Sequence, residues 1–235
     1  MVPEVFQTYP DGMGATYHQF CPVAKAMEVL DERWTLLVMR EIVLGTEHFN
    51  DLRRGVPRMS PSLLSQRLQR LTRAGIIERE EDGDGVRYVP TEAGRELRPV
   101  IEALGAWGVR WIPEIGDTDL DPHLLLWDMH RNVALDATPK KRTVVAFRFD
   151  DVQARDWWIV IDNGDVDVCD VDPGYPVTAT VSGPLRELIR VHRGDTDWRT
   201  ALRSGVLSID GTERVRRELP QWFRPSMFSA VPRPA

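Results

Sequence analysis

The sequence predicts an α+β protein in two parts: a helical N-terminal half closed by a β-hairpin, and a C-terminal α/β sandwich with an antiparallel sheet. Three observations carry this reading. Apolar residues recur three and four apart from Val23 to Ala74, and again from Leu97 to Trp111. Between those stretches, strand-forming residues flank the glycine-rich tip Gly83-Asp84-Gly85. From Thr143 the pattern changes to the short β-rich runs TVVAFRF, WWIVID, VDVCDV and VTATV.

Composition sets the outer bounds. The 235 residues leave room for two small cores, and 42% hydrophobic with 28% charged residues is the balance of a folded globular chain. No apolar run approaches the ~20 residues that cross a bilayer, and the start MVPEVFQTYPDG has neither a basic nor an apolar leader region, so a cytoplasmic location is expected. Cys21 and Cys169 stand far apart and outside any closely spaced Cys/His cluster, which argues against a disulfide framework and against zinc. No metal or other cofactor is expected. A net charge of -6 excludes wholesale attraction to phosphate, so any nucleic-acid contact has to come from local cations.

Taken in order, VAKAMEVLDERWTLLVMREIVL reads as two helices broken at Asp31-Glu32-Arg33, with Gly45 stopping the second. Phe49, Leu52 and Val56 suggest a short third helix. Arg58-Met59-Ser60-Pro61 has the form of a turn ending at an N-cap, and the helix it opens runs to about Ala74, with Gly75 as its C-cap. The two segments around the glycine tip form a hairpin, and Thr91-Glu92 opens a long helix. A further helix is expected from Pro122 to about Ala134, ahead of Thr138-Pro139-Lys140-Lys141. In the second half Asn163-Gly164 marks a two-residue hairpin turn within a meandering sheet. Helices over Leu185–Val191 and Trp198–Arg203, a GVLSIDG strand and a helix over Thr212–Leu219 complete it. The expected divisions are 18–112, a helical linker 113–142, and 143–223.

Residues 48 to 74, with the hairpin after them, make a winged helix-turn-helix, in which one helix packs on the core and the next offers its exposed face to base edges. Leu64, Leu68 and Leu71 form one stripe; opposite it stand Ser62, Gln66, Gln69 and Arg73, flanked by Ser65 and Arg70. Arg58 and Ser60 precede them. Among Arg53, Arg54, Arg58, Arg67, Arg70 and Arg73 the only acid in this stretch is Asp51, so the segment is basic within an acidic chain. The plain reading of the same helix is a solvated surface. In the hairpin, Arg79 and Arg87 are placed to meet phosphate, but Glu80, Glu81, Asp82 and Asp84 crowd them; a wing that touches DNA and one that only caps the core both fit.

Over about residues 20 to 112 the chain resembles the HxlR-type winged-helix regulators, relatives of the MarR group. The resemblance rests on CPVAKAMEVLDERWTLLVMREI, HFNDLRRGVPRMSPSLLSQRLQRLTRAGIIERE and RYVPTEAGREL, in that order. It implies a homodimer, a repressor by expectation, that places its two reading helices in successive major grooves of a near-palindromic operator. Independently, Leu97, Ile101, Leu104, Trp107 and Trp111 form an apolar stripe wider than one such domain needs. Dimerisation and packing on the C-terminal domain are both open to it, and either would bury it. Cys21 lies where the family commonly has a cysteine, which in some relatives senses oxidants. A helix start and Lys25 one turn away favour thiolate, while a structural cysteine fits the same place.

Residues 143 to 223 resemble the sterol-carrier-protein-like fold, chiefly through GDTDWRTALRSGVLSIDGTERVRRELPQWF. The resemblance implies a pocket for a hydrophobic small-molecule effector, with Phe147, Trp157, Ile159, Val166, Val168, Val181, Leu188 and Leu202 as candidate walls. A filled core would contain the same residues. Catalysis finds no support: Gly-rich phosphate loops, GxSxG and HExxH are missing, and the five histidines are scattered, His123 and His130 being two lone ligands. The competing reading is a lipid-binding or protein-interaction module whose winged helix does not read DNA.

Overall fold

The computed structural model describes residues 16–83, 85–112, 114–152 and 155–233. Asp84 at the hairpin tip, Pro113 and the MVPEVFQTYPDG segment lie outside the described residues. The chain divides into two compact units at Gly105/Ala106.

In the first unit α1 (Pro22–Leu30) starts with Cys21 at its N-cap and a proline in its first turn, and α2 (Thr35–Val43) follows after a tight turn. Trp34 closes that turn in a left-handed conformation, φ 81°, with the Arg33 guanidinium 5.4 Å from its ring centroid. Next come α3 (Phe49–Gly55) and α4 (Pro61–Arg73). At Gly55 the backbone approaches the buried Glu41 side chain so closely that a β-carbon there would displace its carboxylate. The hairpin β1 (Ile77–Asp82) and β2 (Gly85–Pro90) pairs from Ile77↔Pro90 to Asp82↔Gly85. A short extended piece joins it: Tyr88 N–H donates to Glu47 O at 2.8 Å, and His48 bridges to Arg87. The core between these elements holds Val38, Met39, Ile42, Leu52, Leu64, Leu68, Leu71 and Ile77.

The long helix expected from Thr91 is instead two, α5 (Glu92–Glu96) and α6 (Arg98–Trp111). Pro99 explains the break, because it has no N–H for the Arg95 carbonyl and disfavours helical geometry at the residue before it. Leu97 and Ile101 of the stripe are partly buried and pack against the core of the first unit. No residue of α6 is buried, and Leu104, Trp107 and Trp111 are 49%, 56% and 58% exposed.

The second unit opens with a 3-10 turn at Asp117–Asp119 and α7 (Pro122–Arg131), capped by Asp121 accepting from Leu124 N–H at 3.2 Å. Its sheet comprises β3 (Thr143–Phe149), β4 (Asp156–Asp162), β5 (Asp165–Cys169), β6 (Ala179–Gly183) and β7 (Ser208–Asp210), in the order β5-β4-β3-β6-β7. Strands β3, β4 and β5 form the expected antiparallel meander, turning at Asn163-Gly164 with both residues at positive φ, 51° and 95°. Strand β6 departs from the meander and runs parallel to β3, which the long excursion after β5 makes reachable. Helices α8 (Leu185–Arg193), α9 (Trp198–Arg203) and α10 (Glu213–Trp222) follow.

Segment 113–142, expected as a linker, instead supplies part of this core: Leu125, Leu126, Trp127 and Met129 of α7 pack with Phe147, Ile159, Leu188 and Trp222. Four neighbouring apolar side chains on ten residues of helix demand burial, and the sheet provides it.

Candidate nucleic-acid interface

Helix α4 is built to present one face. Ser60 caps it by accepting from Leu63 N–H at 3.3 Å, Pro61 occupies its first turn, and Gly75 ends it at φ 67°. Leu64, Leu68 and Leu71 are 0%, 1% and 1% exposed, which fixes the rotation of the helix on the core. Ser62, Gln66, Gln69 and Arg73 are consequently exposed in a single row, Ser65 is half-buried beside them, and Arg58 and Ser60 are exposed at the start of the helix. The row carries one guanidinium and three neutral groups, all capable of donating to base edges or phosphate.

Arg70 is the departure. Expected beside the row, it lies roughly 120° around the helix from Leu64 and turns back toward the α1–α2 turn. There it pairs with Glu32, and its Nη2 donates to Glu28 O at 3.4 Å. Arg67 does the same, pairing with Glu32 and donating from Nε to Arg33 O at 3.2 Å. The one carboxylate that these two arginines share comes from outside residues 48–74, so the charges of that segment do not show it. The only sign in the sequence was the Asp31-Glu32-Arg33 interruption itself.

In the wing Arg87 is held between Glu47 at 3.3 Å and Glu80 at 2.9 Å, and Arg79 pairs with Glu81, which raises its pKa. The wing cations are thus engaged by carboxylates of the wing or its immediate neighbour. At the other end of the unit, Cys21 is half-buried and free. Lys25, expected to favour its thiolate, extends to Glu28 at 3.0 Å, and the Glu28 carboxyl is held below its ordinary range, first by the Thr16 hydroxyl and then by Lys25.

The structure brings the apolar wall candidates of the C-terminal unit together as packed core. Phe147, Trp157, Ile159, Val168, Val181 and Leu188 are buried, with Val166 and Leu202 packed at the margin. Among these eight, Leu188 also lines a cavity in this unit with a volume of about 500 Å³. That cavity lies between α8, the start of α9 and the segment after α10, and is walled by Met129, Val191, Trp198 and Phe223 together with His192, Asp197 and Arg224. His192 is buried, with Nε2 2.7 Å from Asp128 Oδ2. Asp197 caps α9 by accepting from Thr200 N–H at 2.6 Å, a bond that heads the causes lowering its pKa. The sequence signal for this site was the amphipathic α8, of which Leu188 alone is among the candidate walls. His123 stacks on Trp157 and His130 lies against Trp127. Among the described residues no group of three or more His, Cys, Asp or Glu is placed to hold a metal ion, and no helix is long and apolar enough to cross a membrane.

Residues 29–116 match the HxlR-like helix-turn-helix family, and residues 130–219 match the SCP-2 sterol transfer family. The chain is 29% identical over 98 residues to the uncharacterised HTH-type transcriptional regulator YvaP of Bacillus subtilis strain 168, covering 40% of this chain and 91% of that one. A second such regulator, from Synechocystis, is 34% identical over 97 residues, covering 40% and 72%. A third, from Mycobacterium bovis, is 40% identical over 96 residues, covering 39% of this chain and 59% of its own length. The solved reduced form of the transcriptional regulator YodB from B. subtilis is 27% identical and covers 41% of this chain and all of that one, with a TM-score of 0.36.

Proposed function

Because the chain belongs to the HxlR-like helix-turn-helix family, we propose that it is a transcriptional regulator that reads operator DNA as a homodimer, and that its C-terminal domain takes up an apolar small molecule. The observation that carries the DNA-reading part is the exposed row Ser62, Gln66, Gln69 and Arg73 on a helix anchored by three buried leucines. Glutamine pairs bidentately with adenine, and arginine with guanine or phosphate, so the row suits a major groove.

Dimerisation is supported by the exposed apolar side of α6, where Leu104, Trp107 and Trp111 present indoles and a leucine to solvent. A two-fold pairing through it gives two equivalent reading helices, the arrangement a near-palindromic operator requires. A dimer seated near a promoter competes with polymerase, so repression is the expected direction. The cavity, part apolar and part polar, supports an effector site. Regulation then requires that the effector bind one dimer geometry more tightly than the other. No catalytic step belongs to this reading.

The test is fluorescence anisotropy with a labelled duplex from the gene's own upstream region, against a scrambled duplex, at two salt concentrations, for the wild type and for Gln66→Ala/Arg73→Ala. Salt-sensitive, sequence-selective binding by the wild type, lost in the variant, is expected. Failure to bind any duplex overturns it in favour of an interaction module whose winged helix does not read DNA, the reading that the carboxylate-bound Arg87 favours.

A further inference from the structure

Glu32 occupies the turn between α1 and α2, yet its carboxylate engages two arginines of α4. Arg67 and Arg70 are 16% and 17% exposed, and each also donates to a backbone carbonyl of the α1 end or the turn, Arg33 O and Glu28 O. The turn itself has Trp34 in a left-handed conformation with the Arg33 guanidinium 5.4 Å from its ring centroid. Arg70 lies roughly 40° and Arg67 roughly 100° around the helix from Gln66, so a guanidinium released from Glu32, Arg70 above all, is on the side of α4 that carries the reading row. The wing repeats the arrangement, with Arg87 between Glu47 and Glu80.

We propose that Glu32 is the specificity-setting residue of the DNA interface: it withholds Arg67 and Arg70 from DNA phosphate, so that α4 binds through its largely neutral row. This inference rests on the DNA-reading role proposed above. The physical reason is that phosphate contacts strengthen binding to every sequence alike, while base contacts discriminate. Two uncommitted arginines on the reading helix would raise affinity for all DNA and lower the ratio of specific to non-specific binding. Glu32 acts through the arginines and touches no base, so it is a positioning residue.

The test measures the salt dependence of affinity for a labelled scrambled duplex and for the upstream duplex, with folding checked by circular dichroism. Glu32→Gln keeps the shape and removes the charge. Its binding to scrambled DNA is expected to tighten at low salt, and its slope of log affinity against log salt to steepen by about 0.9 per released arginine, which for both together is roughly a tenfold extra loss over a fourfold rise in salt. Adding Arg67→Gln and Arg70→Gln to that variant is expected to return the slope to the wild-type value, a rescue that a purely structural role for Glu32 does not produce. With Glu32 intact, Arg67→Gln/Arg70→Gln is expected to leave the wild-type slope unchanged. A slope shallower by about 0.9 per arginine in that variant means that both already touch phosphate, and overturns the inference even where Glu32→Gln fails to fold. An unaltered slope in a folded Glu32→Gln overturns it as well, while the DNA-reading role stands. A wild type that binds neither duplex overturns both.

Discussion

The outer face of α4 and the inner face of the C-terminal sheet were each nominated by sequence as a contact surface, and the fold treats them oppositely. On α4, Ser62, Gln66, Gln69 and Arg73 are exposed, as nominated. On the sheet, Phe147, Ile159 and Val181 are 0%, 0% and 1% exposed and packed within the core. The difference comes from the chemistry of burial. A polar row opposite a leucine stripe stays outside because burying it without partners costs free energy, so its position follows from helical periodicity. An apolar strand face is buried in either case, and nothing in its composition separates a wall around space from a wall around other side chains.

The sharpest way to break this comparison is to truncate one residue from each face. Phe147→Ala is expected to cost about 3–5 kcal/mol in urea unfolding, because it empties packed core, whereas Gln69→Ala should stay within about 0.5 kcal/mol. A Phe147→Ala loss below about 1 kcal/mol would mean that the ring already borders open space. A smaller effect tests the third kind of surface, the apolar side of α6. Trp107→Ser/Trp111→Ser is expected to weaken self-association by about 2 kcal/mol or more in sedimentation equilibrium, with the monomer fold retained; unchanged association would show that this side does not form the interface.

The smallest effect concerns the cavity wall. Thr200 holds the Asp197 carboxyl below its ordinary value, through its backbone N–H first and its hydroxyl second. A depressed folded-state pKa contributes stability that is fully present above the ordinary carboxylate value, near pH ~4, and is lost as pH falls through the lower folded value. Asp197→Asn should therefore lower the melting temperature at neutral pH and flatten its acid limb, the two proteins converging as pH falls below the folded-state value. Superimposable acid limbs for the two proteins would remove Asp197 from this account.

Much of the first unit was legible because its signals are local. Helix α4 is set by Ser60, Pro61 and Gly75 at its ends and by leucines at helical spacing, and the hairpin by its glycine tip. What was missed involves residues distant in sequence. Arg70 looked outward-facing until Glu32, 38 residues earlier, drew it back. In the second unit the meander followed from Asn163-Gly164, a two-residue signal. The parallel seat of β6 against β3 had no comparable local cue, and the apolar runs of α7 and α8 signalled burial without showing where the cavity beside His192 opens.

By itself, then, the sequence determined the order of the elements, the rotation of α4 and the presence of two cores, because periodicity, caps and tight turns act over a few residues of chain. The tertiary structure alone decided which arginines of α4 carry free charge and where the C-terminal unit leaves space. Both depend on what a side chain meets from a distant part of the chain: a carboxylate that neutralises it, or a neighbour that fills the volume beside it.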